Sequence, residues 1–260
     1  MVDEAQEYDA GRFPRFAVTV DLTVFTVRDD ALQIALVRRS GEPYKGMWAL
    51  PGGFVRAEGD ANLDRAAQRE LREETGLGIH TQASGPPDQL HLEQLRAYWR
   101  QGRDPRPGLE VATVAFLAIG PHLPDPRPGG DALEAAWTPV QDVLLERVAV
   151  AFDHREIVRD AVLEVRRRLQ DTLLATEFVP REFTLAELRR VYEVIWGEPV
   201  DKRNFYRKVR QLEEFIRPTG RQTSGRLGRP AELFVRAGGE PEAQMILRSA
   251  RAARLDFGAG

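Results

Sequence analysis

The chain has 260 residues, 42% hydrophobic and 30% charged with a formal net charge of −3, which suits one large domain or two small ones built around a real core. Zero cysteines exclude disulfides, thiolate catalysis and sulfur-ligated zinc, and four scattered histidines argue against a histidine-built zinc site. No apolar run approaches the roughly 20 residues of a bilayer span, and the acidic opening stretch MVDEAQEYDAGR lacks the apolar segment of a signal peptide, so no membrane partner is expected and the cytoplasm is the expected compartment.

Residues 1–13 are expected to be disordered. FAVTVDLTVFTV (16–27) alternates apolar and polar residues and predicts a strand, and LQIALVRR (32–39) follows after RDDA, so the two predict a hairpin. GEPYKGMWALPGG (41–53) reads as a turn-rich loop around a very short strand. From Leu63 to Thr75 the pattern is helical, with Leu63, Ala66, Ala67 and Leu71 on one face and Gly76 where a left-handed cap belongs. HLEQLRAYW (91–99) and LEVATVAFLAI (109–119) predict two strands that flank the loop 100–108. PHLPDPRPGGD (121–131) is another loop, and 135–146 reads as a strand end running into a short helix. FDHREIVRDAVLEVRRRL (152–169) predicts a helix with an apolar stripe of Ile157, Ala161, Val165 and Leu169, and Asp153 and Glu156 have capping-box spacing. After the break EFVPREFT come two helices, 185–196 capped by Thr184 and 202–214 capped by Asp201, then strand, Gly/Arg loop and strand over 215–236. The expected organisation is an α/β ligand-binding domain (14–150), a linker helix (151–180), a helix-turn-helix domain (181–236) and a tail (237–260).

Glu70, Glu73 and Glu74 stand at i, i+3 and i+4 and share one helix face. Three carboxylates pointing one way repel unless a positive charge sits among them. A hard oxygen-seeking cation such as Mg²⁺, completed by the phosphates of a nucleotide, answers that need. The plainer reading is a solvated face with an Arg69–Glu73 pair. The context, LPGG followed by RELREETGL, resembles the Nudix box, G-x5-E-x7-R-E-U-x-E-E-x-G-U with U apolar. Its second half matches fully in Arg69, Glu70, Leu71, Glu73, Glu74, Gly76 and Leu77. Between the halves the loop is two residues too long and supplies no glutamate in either register: counting from Gly53 reaches Gly59, and counting back from Arg69 reaches Ala61. Glu58 or Asp60 reaches the site only if the loop bulges. A carboxylate displaced by about 1 Å can cost on the order of a hundredfold in rate, so metal binding is expected to be weak and hydrolysis slow or lost.

The net charge is uneven. Residues 1–180 carry −8, residues 181–236 carry +5 and residues 237–260 balance, which points to two partners of different kinds. Leu185, Leu188, Val191 and Ile195 line one face of the first C-terminal helix, and Phe205, Val209 and Leu212 one face of the second. The opposite face of the second helix offers Lys202, Arg203, Asn204, Arg207 and Lys208. Arg reads guanine bidentately and Asn reads adenine, and a recognition helix contacts bases mainly through its N-terminal half. Asn204 reads equally as a buried polar group that holds the turn. The following hairpin carries Arg221, Arg226 and Arg229, which suit phosphates or the minor groove. The plainer alternative is a small protein-contact module with solvated charges.

Taken together, LPGGFVR, RELREETGL, HLEQLRAYW, GRDPR, AFDHREIV, FTLAELRRVYE, DKRNFYRKV and GRPAELF, in this order over residues 14–236, resemble the Nudix-related transcriptional regulators of NAD metabolism, the NrtR type. The resemblance implies a Nudix α/β/α sandwich followed by a winged helix-turn-helix domain. It implies a homodimer on double-stranded operator DNA with an inverted repeat, and ADP-ribose or a related NAD-derived nucleotide as effector. The alternative is a Mg²⁺-dependent ADP-ribose pyrophosphatase with an appended nucleic-acid-binding module. For such a ligand the GRDPR loop offers Arg103 and Arg106 to fork onto phosphates or a ribose and Asp104 to accept from ribose hydroxyls, or else it is an Arg–Asp surface turn. Trp48 and Tyr98 read as adenine platforms or, more simply, as core, and His154 as an organiser of the domain junction.

Overall fold

The computed structural model describes residues 15–78, 90–170, 172–212, 214–224 and 230–237. The expected disordered N-terminus, the tail beyond Ala237 and the wing arginines Arg226 and Arg229 lie outside the described residues.

Strand β1 (Phe16–Arg28) is the spine of a seven-stranded mixed sheet. Its second half pairs antiparallel with β2 (Ala31–Arg39) through a two-residue turn. Asp29 and Asp30 there take φ of 50° and 58°, the left-handed pair that matches the twist of a tight hairpin and that aspartate tolerates. The first half of β1 pairs with β4 (Gly52–Phe54), and its other edge runs parallel to β6 (Glu110–Ile119). β3 (Trp48–Ala49) and β7 (Ala132–Pro139) pair with β2, and β5 (His91–Tyr98) with β6. Two short strands therefore stand where one was expected, and β7 begins earlier than the pattern suggested.

Because side chains alternate across a strand, β1 feeds two cores. Val20, Leu22 and Val24 face α1 (Leu63–Thr75), packing on Ala66, Ala67 and Leu71. Phe25, Ile34, Leu36, Leu117 and Ile119 face α2 (Val140–Leu144) and α3 (His154–Arg168). The result is an α/β/α sandwich. Asn62 accepts from the Arg65 amide at the start of α1, and Gly76, at φ 66°, ends the helix with its N–H on the Arg72 carbonyl, as a left-handed cap does.

The second module follows α3 through a 3-10 helix (Leu173–Phe178) that the break EFVPREFT did not announce. In α4 (Leu185–Trp196), Thr184 and Glu187 form a complete capping box and Gly197 closes the helix at φ 73°. α5 (Lys202–Gln211) is capped by Asp201 and stops short of residue 214, because Leu212 leaves helical geometry and its carbonyl takes the Phe215 N–H, steering the chain into β8 (Ile216–Gln222). β9 (Glu232–Arg236) completes the wing, and Phe183 adds to it by exchanging both backbone hydrogen bonds with Phe234. The two modules share one apolar core: Leu188, Tyr192, Ile195, Phe205 and Phe234 belong to the cluster that contains Ile157, Ala161 and Val165 of α3. Polar ties reinforce it. Arg166 Nε donates to the Ile195 carbonyl at 2.7 Å, and Arg190 Nε to Asp30 at 2.8 Å.

Candidate functional site

A cavity of about 520 Å³ opens over β1, β4, α1 and the loop after β5, within the ~300–1,000 Å³ of small-molecule sites. It unites two stretches that the sequence held apart. Glu70, Glu73 and Glu74 of α1 line it, and so do Arg103, Asp104 and Arg106 of the GRDPR loop. Residues that sequence reasoning did not select also line it: Arg38, Arg39, Arg56, Asp131 and the rings of Phe54 and Phe152. Arg106 lies over the Phe54 ring at 5.2 Å and Arg39 over Phe152 at 4.9 Å. Trp48 and Tyr98 instead belong to the core, and the Tyr98 hydroxyl donates to Asp160.

The LPGG stretch forms one wall by close approach. The Gly52 N–H donates to Glu74 Oε2 at 2.8 Å, and a Cβ on Gly53 would lie 2.5 Å from Glu70 Oε1. At Gly52 a Cβ would lie 2.2 Å from the Val20 carbonyl oxygen, so glycine is required there for the close approach to β1.

The three glutamates do not converge on a common point for a metal. Glu70 accepts from Arg69 Nη1 at 2.6 Å. Glu73 accepts from both terminal nitrogens of Arg56, at 3.3 and 2.9 Å, and from Arg69 at 3.2 Å. Burial pushes Glu74 up to about 9, and Asp131 and Glu70 push the same way against the Gly52 amide. Burial also raises Glu70, against the pull of Arg69. Oxygen donors are the right chemistry for a hard cation, yet each carboxylate is already engaged by an arginine or a backbone amide. Among the described residues no group of three or more acidic or histidine side chains is arranged to hold a metal ion. The expected set Glu70, Glu73 and Glu74 is thus side by side on the helix but not assembled as a metal site.

The irregular loop before α1 does bulge. The Gly59 and Asp60 amides both turn back onto the Arg56 carbonyl. Asp60 then takes Arg69 bidentately, at 2.9 and 2.8 Å, and the Arg56 backbone N–H at 2.8 Å. The Arg69 guanidinium holds the Asp60 carboxyl down at about 2. Asp60 therefore anchors the loop to the helix instead of facing a ligand, and Glu58 is exposed.

The GRDPR loop also differs from the expected open fork. The Arg103 side chain is only 5% exposed; its Nε donates to Asp153 at 2.8 Å and its Nη2 to Asp21 at 3.1 Å. Asp21 also accepts from the Thr113 hydroxyl at 2.7 Å. A guanidinium held by two buried carboxylates is not free to turn onto a phosphate. Asp104 spends both oxygens on Arg106, which keeps an exposed edge. The Asp153–Glu156 capping box expected for α3 is absent: Asp153 makes no side-chain cap bond, and its Oδ2 instead accepts from Arg103.

His154, the first residue of α3, organises the pocket. Its Nδ1 accepts from the Leu50 N–H at 2.9 Å, fixing LPGG to α3, and its Nε2 stands 3.6 Å from Asp21. Burial pushes this imidazole down, which keeps Nδ1 unprotonated for its acceptor role. A signal for this cluster was present in the sequence: Asp21 is the only charged residue of FAVTVDLTVFTV, and a buried carboxylate there demands a partner.

In the winged module, Phe205 and Val209 of α5 are buried while Lys202, Arg203, Asn204, Arg207 and Lys208 are exposed. The buried-polar alternative for Asn204 is not what is built; its side-chain oxygen instead faces Arg207 Nη2 at 3.4 Å. None of Lys202, Arg203, Arg207 and Lys208 forms a salt bridge among the described residues. Arg221 of the wing is exposed but tied to Glu182.

Comparison with known proteins matches residues 18–161 to the NUDIX domain and residues 175–235 to the NrtR DNA-binding winged helix domain. The chain is 33% identical over 228 residues to the ADPR responsive transcriptional repressor NtrR of Acinetobacter baylyi, covering 88% of this chain and 85% of that protein. It is 36% identical over 129 residues, 49% of this chain and 64% of the other, to an ADP-ribose pyrophosphatase of Methanocaldococcus jannaschii. Shewanella oneidensis NrtR crystallised with a 27mer DNA superposes with a TM-score of 0.67 at 30% identity, covering 86% of this chain and 99% of that one. The NUDIX domain of the same protein with ADP ribose superposes with a TM-score of 0.51 at 31% identity, covering 63% and 94%.

Proposed function

This chain belongs to the NUDIX family and carries an NrtR-type winged helix domain, and from there we propose that it is a transcription regulator, a repressor of NAD-metabolism genes, whose NUDIX domain senses ADP-ribose or a related NAD-derived nucleotide. It works in the cytoplasm as a homodimer that sets two copies of α5 on an inverted-repeat operator. Residues 14–150 form the sensor, 151–180 the connection and 181–236 the reader. One observation carries the reading. Lys202, Arg203, Arg207 and Lys208 of α5 form no salt bridge among the described residues, while the buried face of the same helix is locked into the core that α3 shares with the sensor. Unpaired arginines on a rigid helix suit base edges, with Arg203, Asn204 and Arg207 the readers, and the wing arginines suit phosphates. The structures of a similar regulator with DNA and with ADP ribose support both halves.

A second reading, ADP-ribose pyrophosphatase, is supported by Glu70, Glu73 and Glu74 in the same cavity as the arginines. It requires Mg²⁺ on carboxylates that Arg56 and Arg69 now hold. One paired experiment separates the readings: fluorescence anisotropy with the chain's own upstream DNA, with and without ADP-ribose, beside an assay of AMP release in Mg²⁺. A regulator shows a ligand-dependent operator affinity, with coupling of about 1–3 kcal/mol, and little AMP. Turnover of order 1–1,000 per second without DNA preference makes the protein an enzyme.

A further inference from the structure

The mismatch between the carboxylate helix and a metal has a particular structural origin. Charges alternate along the wall of the cavity. Asp60 holds Arg69; Arg69 bridges Glu70 and Glu73; Arg56 grips Glu73 with both terminal nitrogens. Asp60 sets both arginines at once, through the Arg69 guanidinium and the Arg56 backbone N–H. The turn that places Arg56 there, with Gly59 and Asp60 folded back on its carbonyl, lies in the stretch where the loop is too long for the box pattern. Arg56 also lines the cavity and is 57% exposed. Two of its nitrogens face Glu73, so part of its five-donor guanidinium remains open to a ligand.

We propose that Arg56 is a built-in cation: it takes the Glu73 carboxylate in place of a divalent metal and offers its remaining donors to the diphosphate of the nucleotide, so the pocket binds its effector without metal. A guanidinium is planar, always charged and suited to carboxylate and phosphate alike, so it bridges the two anions as a metal would. Unlike a metal, it activates no water. A sensor built this way keeps its ligand intact and needs no second component. The ligand half of this inference rests on the nucleotide reading of the cavity; the metal half does not.

The test uses the full chain and its Arg56→Ala and Arg56→Gln variants. Calorimetry measures ADP-ribose binding in EDTA and in millimolar Mg²⁺, and electron paramagnetic resonance measures binding of Mn²⁺ alone. Wild type is expected to bind ADP-ribose equally in both buffers. The variants are expected to lose roughly tenfold or more in EDTA, the worth of a charged hydrogen bond, and to regain part of it in Mg²⁺. They are also expected to bind Mn²⁺ roughly fivefold more tightly than wild type, the factor an exposed ion pair is worth. Arg56 is exposed, so the variants fold, and circular dichroism confirms it. Wild-type binding that collapses in EDTA overturns the proposal, as does Mn²⁺ affinity that is unchanged by the substitutions. If wild type binds no ADP-ribose in either buffer, the nucleotide reading fails, and the Mn²⁺ comparison alone decides whether Arg56 excludes a metal.

Discussion

Arg103→Ala should destabilise the whole protein, and the size of the effect follows from what surrounds the guanidinium. Its side chain is 5% exposed, that of Asp21 9% and that of Asp153 4%. Removing one partner of a buried ion pair typically costs about 3–5 kcal/mol, because the other charge is left without compensation. Here two carboxylates are left. For a fold of this size each kcal/mol is worth roughly 2–4 °C, so a fall in Tm of roughly 6–20 °C is expected. Thermal unfolding followed by circular dichroism measures the fall in Tm, and urea unfolding the loss in kcal/mol. Arg103→Lys should recover little, since one ammonium cannot reproduce the Nε and Nη2 pair that spans both aspartates. Adding Asp153→Asn to Arg103→Ala should restore part of the loss by removing one stranded charge, so the pair should be non-additive. The reasoning fails if Arg103→Ala unfolds within about 1 kcal/mol of wild type, or if the double variant shows the full sum of the single losses.

Arg203→Ala and Arg207→Ala should each weaken operator binding by roughly 1–3 kcal/mol and relax base preference, while Arg221→Ala should weaken all sequences alike and reduce the salt dependence; footprints indifferent to all three would remove α5 from the interface. His154 titrates below its ordinary value of about 6.5 because burial disfavours its charged form. Its contribution to stability is therefore present above about pH 6.5 and shrinks as pH falls, when the unfolded chain takes up the proton first. The stability difference between wild type and His154→Gln should be flat above about pH 7 and diminish below pH 6.5; a difference that does not vary with pH would contradict the neutral-acceptor role. Phe152→Gly, which relaxes the left-handed φ of 53° at the cavity edge, should reduce the factor by which ADP-ribose changes operator affinity, measured by anisotropy; an unchanged factor would remove Phe152 from the coupling.

Much of the fold was legible because its determinants are local. Alternation in 16–27, the stripe Ile157–Ala161–Val165 and the caps Thr184, Asp201 and Gly76 each declare an element within a few residues. The boundaries that moved, such as the end of α5 at Leu212, were set by a turn into the wing that a helical pattern does not contain. The site was legible as parts. That α1 and the GRDPR loop share one cavity depends on β1 lying between β4 and β6, a pairing of residues far apart in the chain. What stayed hidden was which charge answers which. Arg103 looked like a ligand contact because exposed arginines bind phosphates, but its partners Asp21 and Asp153 lie 82 and 50 residues away. Arg56 carries no signal in the sequence, because only the folded loop brings it onto Glu73.

The cavity and the winged module are linked through α3. At its first turn, Asp153 holds Arg103, His154 holds Leu50, and Phe152 lines the cavity with φ of 53°. A bulky residue in the left-handed region is strained, at a cost of about 1–3 kcal/mol, and it persists only where its surroundings hold it. At the last turn, Arg166 grips the end of α4 through the Ile195 carbonyl, and the apolar stripe between them is continuous with the core of the winged module. A packed helix transmits displacement of one end to the other, since its backbone hydrogen bonds resist internal bending. A ligand need not reach α4; it needs only a different affinity for two positions of residues 152–154. The coupling that regulation typically requires, about 1–3 kcal/mol, has the same size as the strain stored at Phe152. Relief or reinforcement of that one backbone conformation has the size needed to bias the placement of the winged module, and the Phe152→Gly measurement tests whether it does so.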